Sequence, residues 1–239
     1  MSLAIGSIMI RFMLFAGFAL AAGHACANIV INTTRIIYQE SYKDVTVQLI
    51  NNGDASSLVQ AWIDDGDMNS TPETANVPFL LSPPVVKVAA NGGQQLRIKK
   101  SNQVLANDRE SVFYLNVLDI PPVPENLDGQ NTLQLAIKSR IKLFYRPQGL
   151  KIKPEAVVDN IAIYPRGDRV TIKNDAPYHF TLANIGRENK KDVLVDAVMV
   201  PPFSSITTRV HEPLRANERL SVKYVDDLGS YKETTITSH

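Results

Sequence analysis

Side chains equipped for catalysis are sparse in this sequence and are not spaced for it. The four histidines, His24, His179, His211 and His239, lie far apart, with no metal-ligand spacing among them. The single cysteine, Cys26, can found neither a thiolate zinc site nor a disulfide framework. There is no Gly-x-Ser-x-Gly elbow for a serine nucleophile, no glycine-rich loop to cradle a phosphate, and no carboxylate pair with an evident partner. Asp64-Asp65-Gly66-Asp67 is acidic enough to suggest calcium. The glutamate that closes a calcium loop at its twelfth position is missing, however, and a polar turn is the plainer reading. No catalytic residue, metal or cofactor is therefore expected. Arg35 and Lys142, each taken alone, read as solvated surface charges. What departs most from the ordinary is an apolar alternation over Thr132–Tyr145, far longer than the usual strand of about 5–6 residues.

The elements that must position these residues follow from composition and period. The chain has 239 residues, 44% hydrophobic and 21% charged, which excludes wholesale disorder and collagen-like repeats. Its length suits two domains of roughly 100–120 residues each. Lys+Arg 25 against Asp+Glu 24 argues against a nucleic-acid binder, which shows a basic stripe. Leu3 to Ala27 holds one basic residue, Arg11, an apolar core from Phe12 to Ala22, and Ala25-Cys26-Ala27 at its end. That is the make-up of a secretory signal over residues 1–27, cleaved before Asn28, with Met9 as an alternative start. An uncleaved membrane anchor and a lipoprotein signal at Cys26 are competing readings. Cleavage would remove Arg11 and Cys26, leaving a balanced charge, no cysteine and no membrane insertion. A secreted protein without cysteine relies on packed cores.

Past residue 28 the period is two. Asp44–Asn51, Leu58–Ile63, Gln94–Lys99 and Val112–Leu118 alternate and are bounded by turns such as Asn51-Asn52-Gly53-Asp54. The pattern restarts after Arg146-Pro147, at Asp168–Lys173, His179–Ile185, Val193–Val200, Ser205–Val210 and Arg219–Tyr224, punctuated by prolines. No amphipathic helix of three turns is convincing, and Glu188–Asp192 reads as a charged loop. The expectation is an all-β protein of two immunoglobulin-like β-sandwich domains, residues 28–149 and 150–239. Trp62 sits where a third strand's buried tryptophan belongs and is expected to anchor the core; a sugar-stacking role is the minor alternative.

Ile141-Lys142-Leu143-Phe144-Tyr145-Arg146-Pro147 closely resembles the signature of periplasmic pilus-assembly chaperones, the immunoglobulin-like partners of chaperone–usher fimbriae. Further matches follow in order: Thr33-Thr34-Arg35-Ile36-Ile37-Tyr38, Gln60-Ala61-Trp62-Ile63, Ser82-Pro83-Pro84, Asp108 to Asn116, Ile120-Pro121-Pro122, Asn174 to Tyr178, and Tyr224 to Gly229. The resemblance covers about residues 29–230 and implies a cleft between the two domains. It also gives the long run a purpose. These chaperones lend a strand to pilus subunits whose own fold lacks one, a case of β-augmentation. Leu133, Leu135 and Ile137 match the family's donor row, and alternation puts them on one face; the competing reading makes them this protein's own core. Arg35 and Lys142 match paired cations that anchor a subunit's C-terminal carboxylate. Glu110, Arg146 and Asp227 match an interdomain ion network, a task suited to arginine's planar fork.

The connection Val123–Thr132 is fairly short, which resembles the short-loop subclass, as does the absence of cysteine beyond residue 27. The resemblance thus implies a non-enzymatic periplasmic chaperone whose partners are fimbrial subunits and an outer-membrane usher. An exposed long edge would also permit self-association of the free protein. Two alternatives are a secreted immunoglobulin-like adhesin or structural pilus component, which the lack of a disulfide disfavours, and an enzyme on a β-sandwich, for which no residue constellation is present.

Overall fold

Apart from two short 3-10 turns, Pro154–Ala156 and Val158–Asn160, every regular element among the described residues of the computed structural model is a strand. The structure describes residues 28–123, 134–190 and 192–239. In the first half the strands are β1 (Ile29–Ile31), β2 (Arg35–Gln39), β3 (Val45–Asn51), β4 (Ser57–Asp64), β5 (Phe79–Ser82), β6 (Val85–Val88), β7 (Gly93–Lys100), β8 (Ser111–Ile120) and β9 (Ile137–Arg146). In the second they are β10 (Ile161–Arg166), β11 (Arg169–Asn174), β12 (Phe180–Arg187), β13 (Val198–Val200), β14 (Ser204–Arg209), β15 (Arg219–Val225) and β16 (Tyr231–Thr237).

The first half is a sandwich of a four-stranded sheet, β1-β3-β7-β5, on a five-stranded sheet, β2-β9-β8-β4-β6. Alternation explains why these strands pair as they do. Val47 and Leu49 of β3 and Leu96 and Ile98 of β7 point inward from one sheet, and Val59, Ala61, Ile63, Leu115, Val117, Leu143 and Tyr145 from the other. Each such side chain, fully buried, contributes about 1.5–3 kcal/mol relative to exposure. The second half is a smaller sandwich of β10-β11-β14 on β13-β12-β15-β16. Ile163 and Ile172 face Leu182, Ile185, Leu220 and Val222 in its separate core. These two immunoglobulin-like sandwiches have independent cores, joined by the chain between Arg146 and Ile161.

The expected and observed elements differ in places. The alternating run expected over Thr132–Tyr145 is a strand only from Ile137; residues 134–136 carry no regular structure, and 132 and 133 lie outside the described residues. Val193–Val200 is regular only over β13, with a single bridge between Val195 and Ile185 before it. Trp62 is buried, yet it belongs to the outer face of the five-stranded sheet and takes no part in the core cluster. The reason is alternation itself. Val59, Ala61 and Ile63 fill the inward face of β4, so the residue between the last two must point out. The secretory signal expected over residues 1–27 and the loop residues 124–132 lie outside the described residues.

Candidate functional site: an open strand edge and an interdomain cleft

Strand β9 has unequal neighbours along its two edges. On one side β8 pairs with it antiparallel throughout, from Asp119 opposite Ile137 to Ser111 opposite Tyr145. On the other, β2 runs parallel to it and pairs only with Lys142 to Arg146. Among the described residues no strand lies beside the remaining edge, Ile137 to Ile141, so its outward backbone groups are free to pair. The inward row of β9 runs Ile137, Ser139, Ile141, Leu143, Tyr145. Its far end belongs to the core, Ile141 packs partly against it, and Ile137 lies beyond it, 48% exposed. Leu135, just before the strand, is 64% exposed. Neither residue is part of the protein's own core; Leu133 lies outside the described residues.

The open edge ends at two cations. Arg35 and Lys142 are direct partners on the first rung of the parallel ladder, so their side chains leave the sheet on the same face. The Arg35 guanidinium lies 5.8 Å from the centre of the Phe144 ring and donates one long hydrogen bond, 3.4 Å, to the Val225 carbonyl across the cleft. Its Nε is buried without a partner. Burial lowers the pKa of Arg35, against the pull of Asp227, Asp226 and Glu110 in the other direction. Burial also lowers the pKa of Lys142, and the neighbouring charges of Arg35 and then Arg140 lower it further; no carboxylate among the described residues offsets them. Lys142, half-buried and depressed by the charge of Arg35 beside it, forms with that arginine a site that gains from an anion. A carboxylate could accept from both.

The floor of the cleft joins the two sandwiches. Arg146, the last residue of β9, donates from Nε to Glu110 (2.7 Å) and bidentately from Nη1 and Nη2 to Asp227 (2.5 and 2.6 Å). These carboxylates hold the Arg146 pKa above its ordinary value despite burial. Glu110, itself buried, uses its other oxygen to accept from the His179 backbone N–H at 3.0 Å and to meet His179 Nδ1 at 2.9 Å. The Glu110 backbone N–H donates to the Pro177 carbonyl, and Arg146 stacks 4.9 Å from the centre of Tyr178. The residues Arg35, Phe144, Arg146, His179, Tyr224 and Asp227 line a cavity of about 340 Å³ here.

Sequence reasoning missed two groups. His179 sits between Glu110 and Phe144, whose ring centre is 5.5 Å away, but no spacing pattern marks it because its partner is far upstream. The second group lies on the outer face of the five-stranded sheet. Asp64, its side chain only 2% exposed, accepts from Arg140 through both oxygens, at 2.5 and 3.2 Å, and from Asn116 at 2.6 Å. Arg140 also stacks 3.7 Å from the centre of Tyr114, and Lys138 Nζ lies 6.0 Å from that of Trp62 while donating to the Met68 carbonyl at 3.2 Å. Burial works to raise the Asp64 pKa, but the bonds from Arg140, Asn116 and the Gly66 N–H bring it below the ordinary value. The Asp64–Asp67 stretch is thus a turn whose first carboxylate faces an arginine. Among the described residues there is no group of three or more His, Cys, Asp or Glu that could hold a metal ion. None of their helices is long and apolar enough to cross a membrane.

Comparison with known proteins covers almost all of this architecture. The family described as pili and flagellar-assembly chaperone, PapD N-terminal domain, matches residues 28–151. That described as pili assembly chaperone PapD, C-terminal domain, matches residues 156–236. The probable fimbrial chaperone YehC of Escherichia coli (strain K12) is 44% identical over 207 residues, 87% of this chain and 85% of that protein. The chaperone protein MrkB of Klebsiella pneumoniae is 38% identical over 232 residues, 96% and 99% of the two chains. The crystal structure of the YadV chaperone superposes with a TM-score of 0.75 at 32% identity, covering 88% of this chain and 100% of that one.

Proposed function

The chain belongs to the PapD-like pilus-assembly chaperone family, and we propose that it captures fimbrial subunits by lending them strand β9, then delivers them to an outer-membrane usher. The observation that carries this reading is the half-open edge of β9, apolar and exposed at Leu135 and Ile137, that ends at two cations without a carboxylate between them.

The physical steps follow from that geometry. A subunit strand pairs with the free backbone groups of Ile137 to Ile141 by β-augmentation. Leu135 and Ile137 enter the groove that the subunit's missing strand leaves open, and both partners thereby remove apolar surface from water. The subunit's C-terminal carboxylate meets Arg35 and Lys142, where the charge-assisted bonds relieve the mutual repulsion of the pair. The Glu110–Arg146–Asp227 network holds residues 28–149 and 150–239 at the angle that leaves the cleft open, a role of geometry more than of net stability. This role is binding without covalent chemistry. The apolar segment at residues 1–27, with its Ala25-Cys26-Ala27 end, supports export to the periplasm.

Co-expression with a pilin-like subunit from the same gene cluster tests the reading. A one-to-one complex is expected from periplasmic extract. Charge reversal at Arg35 and Lys142 together should abolish it while leaving the chaperone folded; a double variant that still binds as wild type would sink the anchor.

A further inference from the structure

A strand docking on β9 has a register to choose, and the outer face of the sheet limits the choices. A slip of one residue turns every side chain of the docking strand to the opposite face, so its apolar row cannot follow. Only slips of two or four residues, about 6.6 or 13 Å along the strand, keep the faces matched. Forward slips are blocked, because β2 already occupies the edge from Lys142 onward. Backward slips by two and four residues bring the terminal carboxylate to the level of Arg140 and Lys138, which share the face of Lys142 and also carry positive charge. Three cations at alternate positions would offer three registers of similar value if all were available.

They are not equally available. Arg140 is held by both oxygens of buried Asp64 and stacked on Tyr114. Lys138 is drawn toward the Trp62 ring and the Met68 carbonyl. We propose that Asp64, acting through Arg140, is a register-determining residue: by occupying Arg140 it closes the two-residue slip and favours Lys142 over its nearest rival for the subunit's carboxylate. The inference rests on the carboxylate-anchor reading of Lys142, and it assigns Asp64 a positioning role at a distance from the subunit.

The test uses the full chain after residue 27 and a soluble alternating-apolar peptide that ends in a free carboxylate and carries a benzophenone near that end. The amidated peptide is the control. Photo-cross-links mapped by mass spectrometry read the register directly, which a merely structural role for Asp64 would not move. The unsubstituted protein should give one cross-linked position. Asp64→Asn should add a second, two residues toward Ile137, which disappears again in the Asp64→Asn, Arg140→Gln double variant. Lys142→Ala should weaken binding by about 10- to 100-fold, and adding Asp64→Asn to it should recover about tenfold. A single unchanged cross-link in folded Asp64→Asn, with no recovery in the Lys142→Ala background, overturns the register role but leaves the anchor standing. Unchanged affinity in Lys142→Ala overturns the anchor itself, and the register role with it. Should Asp64→Asn fail to fold, Arg140→Gln alone decides. Occupied Arg140 contributes nothing to capture, so affinity should stay within about twofold, whereas a loss as large as that of Lys142→Ala refutes the proposal.

Discussion

The two halves of β9 share one strand, one alternation and one antiparallel neighbour, yet they live in different environments. From Lys142 to Arg146 the strand lies between β8 and β2, and Leu143 and Tyr145 are sealed in the core. From Ile137 to Ile141 no strand among the described residues lies on the β2 side, and the same row of side chains emerges from the sandwich. Apolar periodicity therefore marks what a strand can bury, and the number of neighbours decides whether this molecule or another does the burying. On the proposed reading one half serves stability and the other recognition, with Arg35 and Lys142 at the join.

Substitutions along the strand can break this division. The largest effect is expected at Arg146→Ala, which leaves one oxygen of buried Glu110 and the Asp227 carboxylate without their arginine and should cost about 3–5 kcal/mol by urea denaturation. Leu143→Ala in the paired half should cost about 2–5 kcal/mol, whereas Leu135→Ala should stay within about 0.5 kcal/mol. Equal losses at the two leucines would mean that the open half is also core. Next in size, Leu135→Glu should prevent recovery of a co-expressed subunit, while its own thermal midpoint moves by no more than that of an ordinary surface change. The smallest effect concerns acid. Asp64 is held below its ordinary pKa of 3.8, so its contribution to stability is present above that value and lost as pH falls through the lowered one. Thermal midpoints measured from neutral pH down to about pH 2 should therefore fall less steeply below about pH 4 in Asp64→Asn than in the parent. Identical acid limbs would show that the Arg140 pair is not formed in solution.

Much of this was legible in the residue order, and each exception has a physical cause. Strands β3 and β7 alternate because one face of each is core and the other more exposed, β4 and β8 keep an apolar inward row although part of their outer face is also buried, and all four fall within a residue or two of the expected runs. Strand β16 escaped notice because Tyr231 to Thr237 is mostly polar and edges its sheet, burying little beyond Ile236. Arg35, Lys142, Glu110, Arg146 and Asp227 could be named only through a family motif, since no local pattern relates a residue of β2 to one of β9. His179 and the Asp64–Arg140 pair had no motif to carry them. Each depends on a partner 69 or 76 residues away, brought close by pairing that the one-dimensional pattern does not express. Trp62 shows the converse: its burial was expected, but its face follows from the alternation of Val59, Ala61 and Ile63 around it rather than from a place in the core.

The division of Glu110's two oxygens, one to Arg146 and one to His179, bears on how this protein can be recombined. The sandwiches are separate in core but not interchangeable as parts. A chimera that joins residues 28–149 to the second half of a relative inherits a buried carboxylate cut to length for two particular neighbours. The joint is remade only if the incoming half supplies a hydrogen-bonding ring at position 179 for Glu110 and an acid at position 227 for Arg146. Even a shortening from glutamate to aspartate, one methylene, would leave one side of the joint unmet, so this single side chain sets the grammar by which halves from different members can be combined.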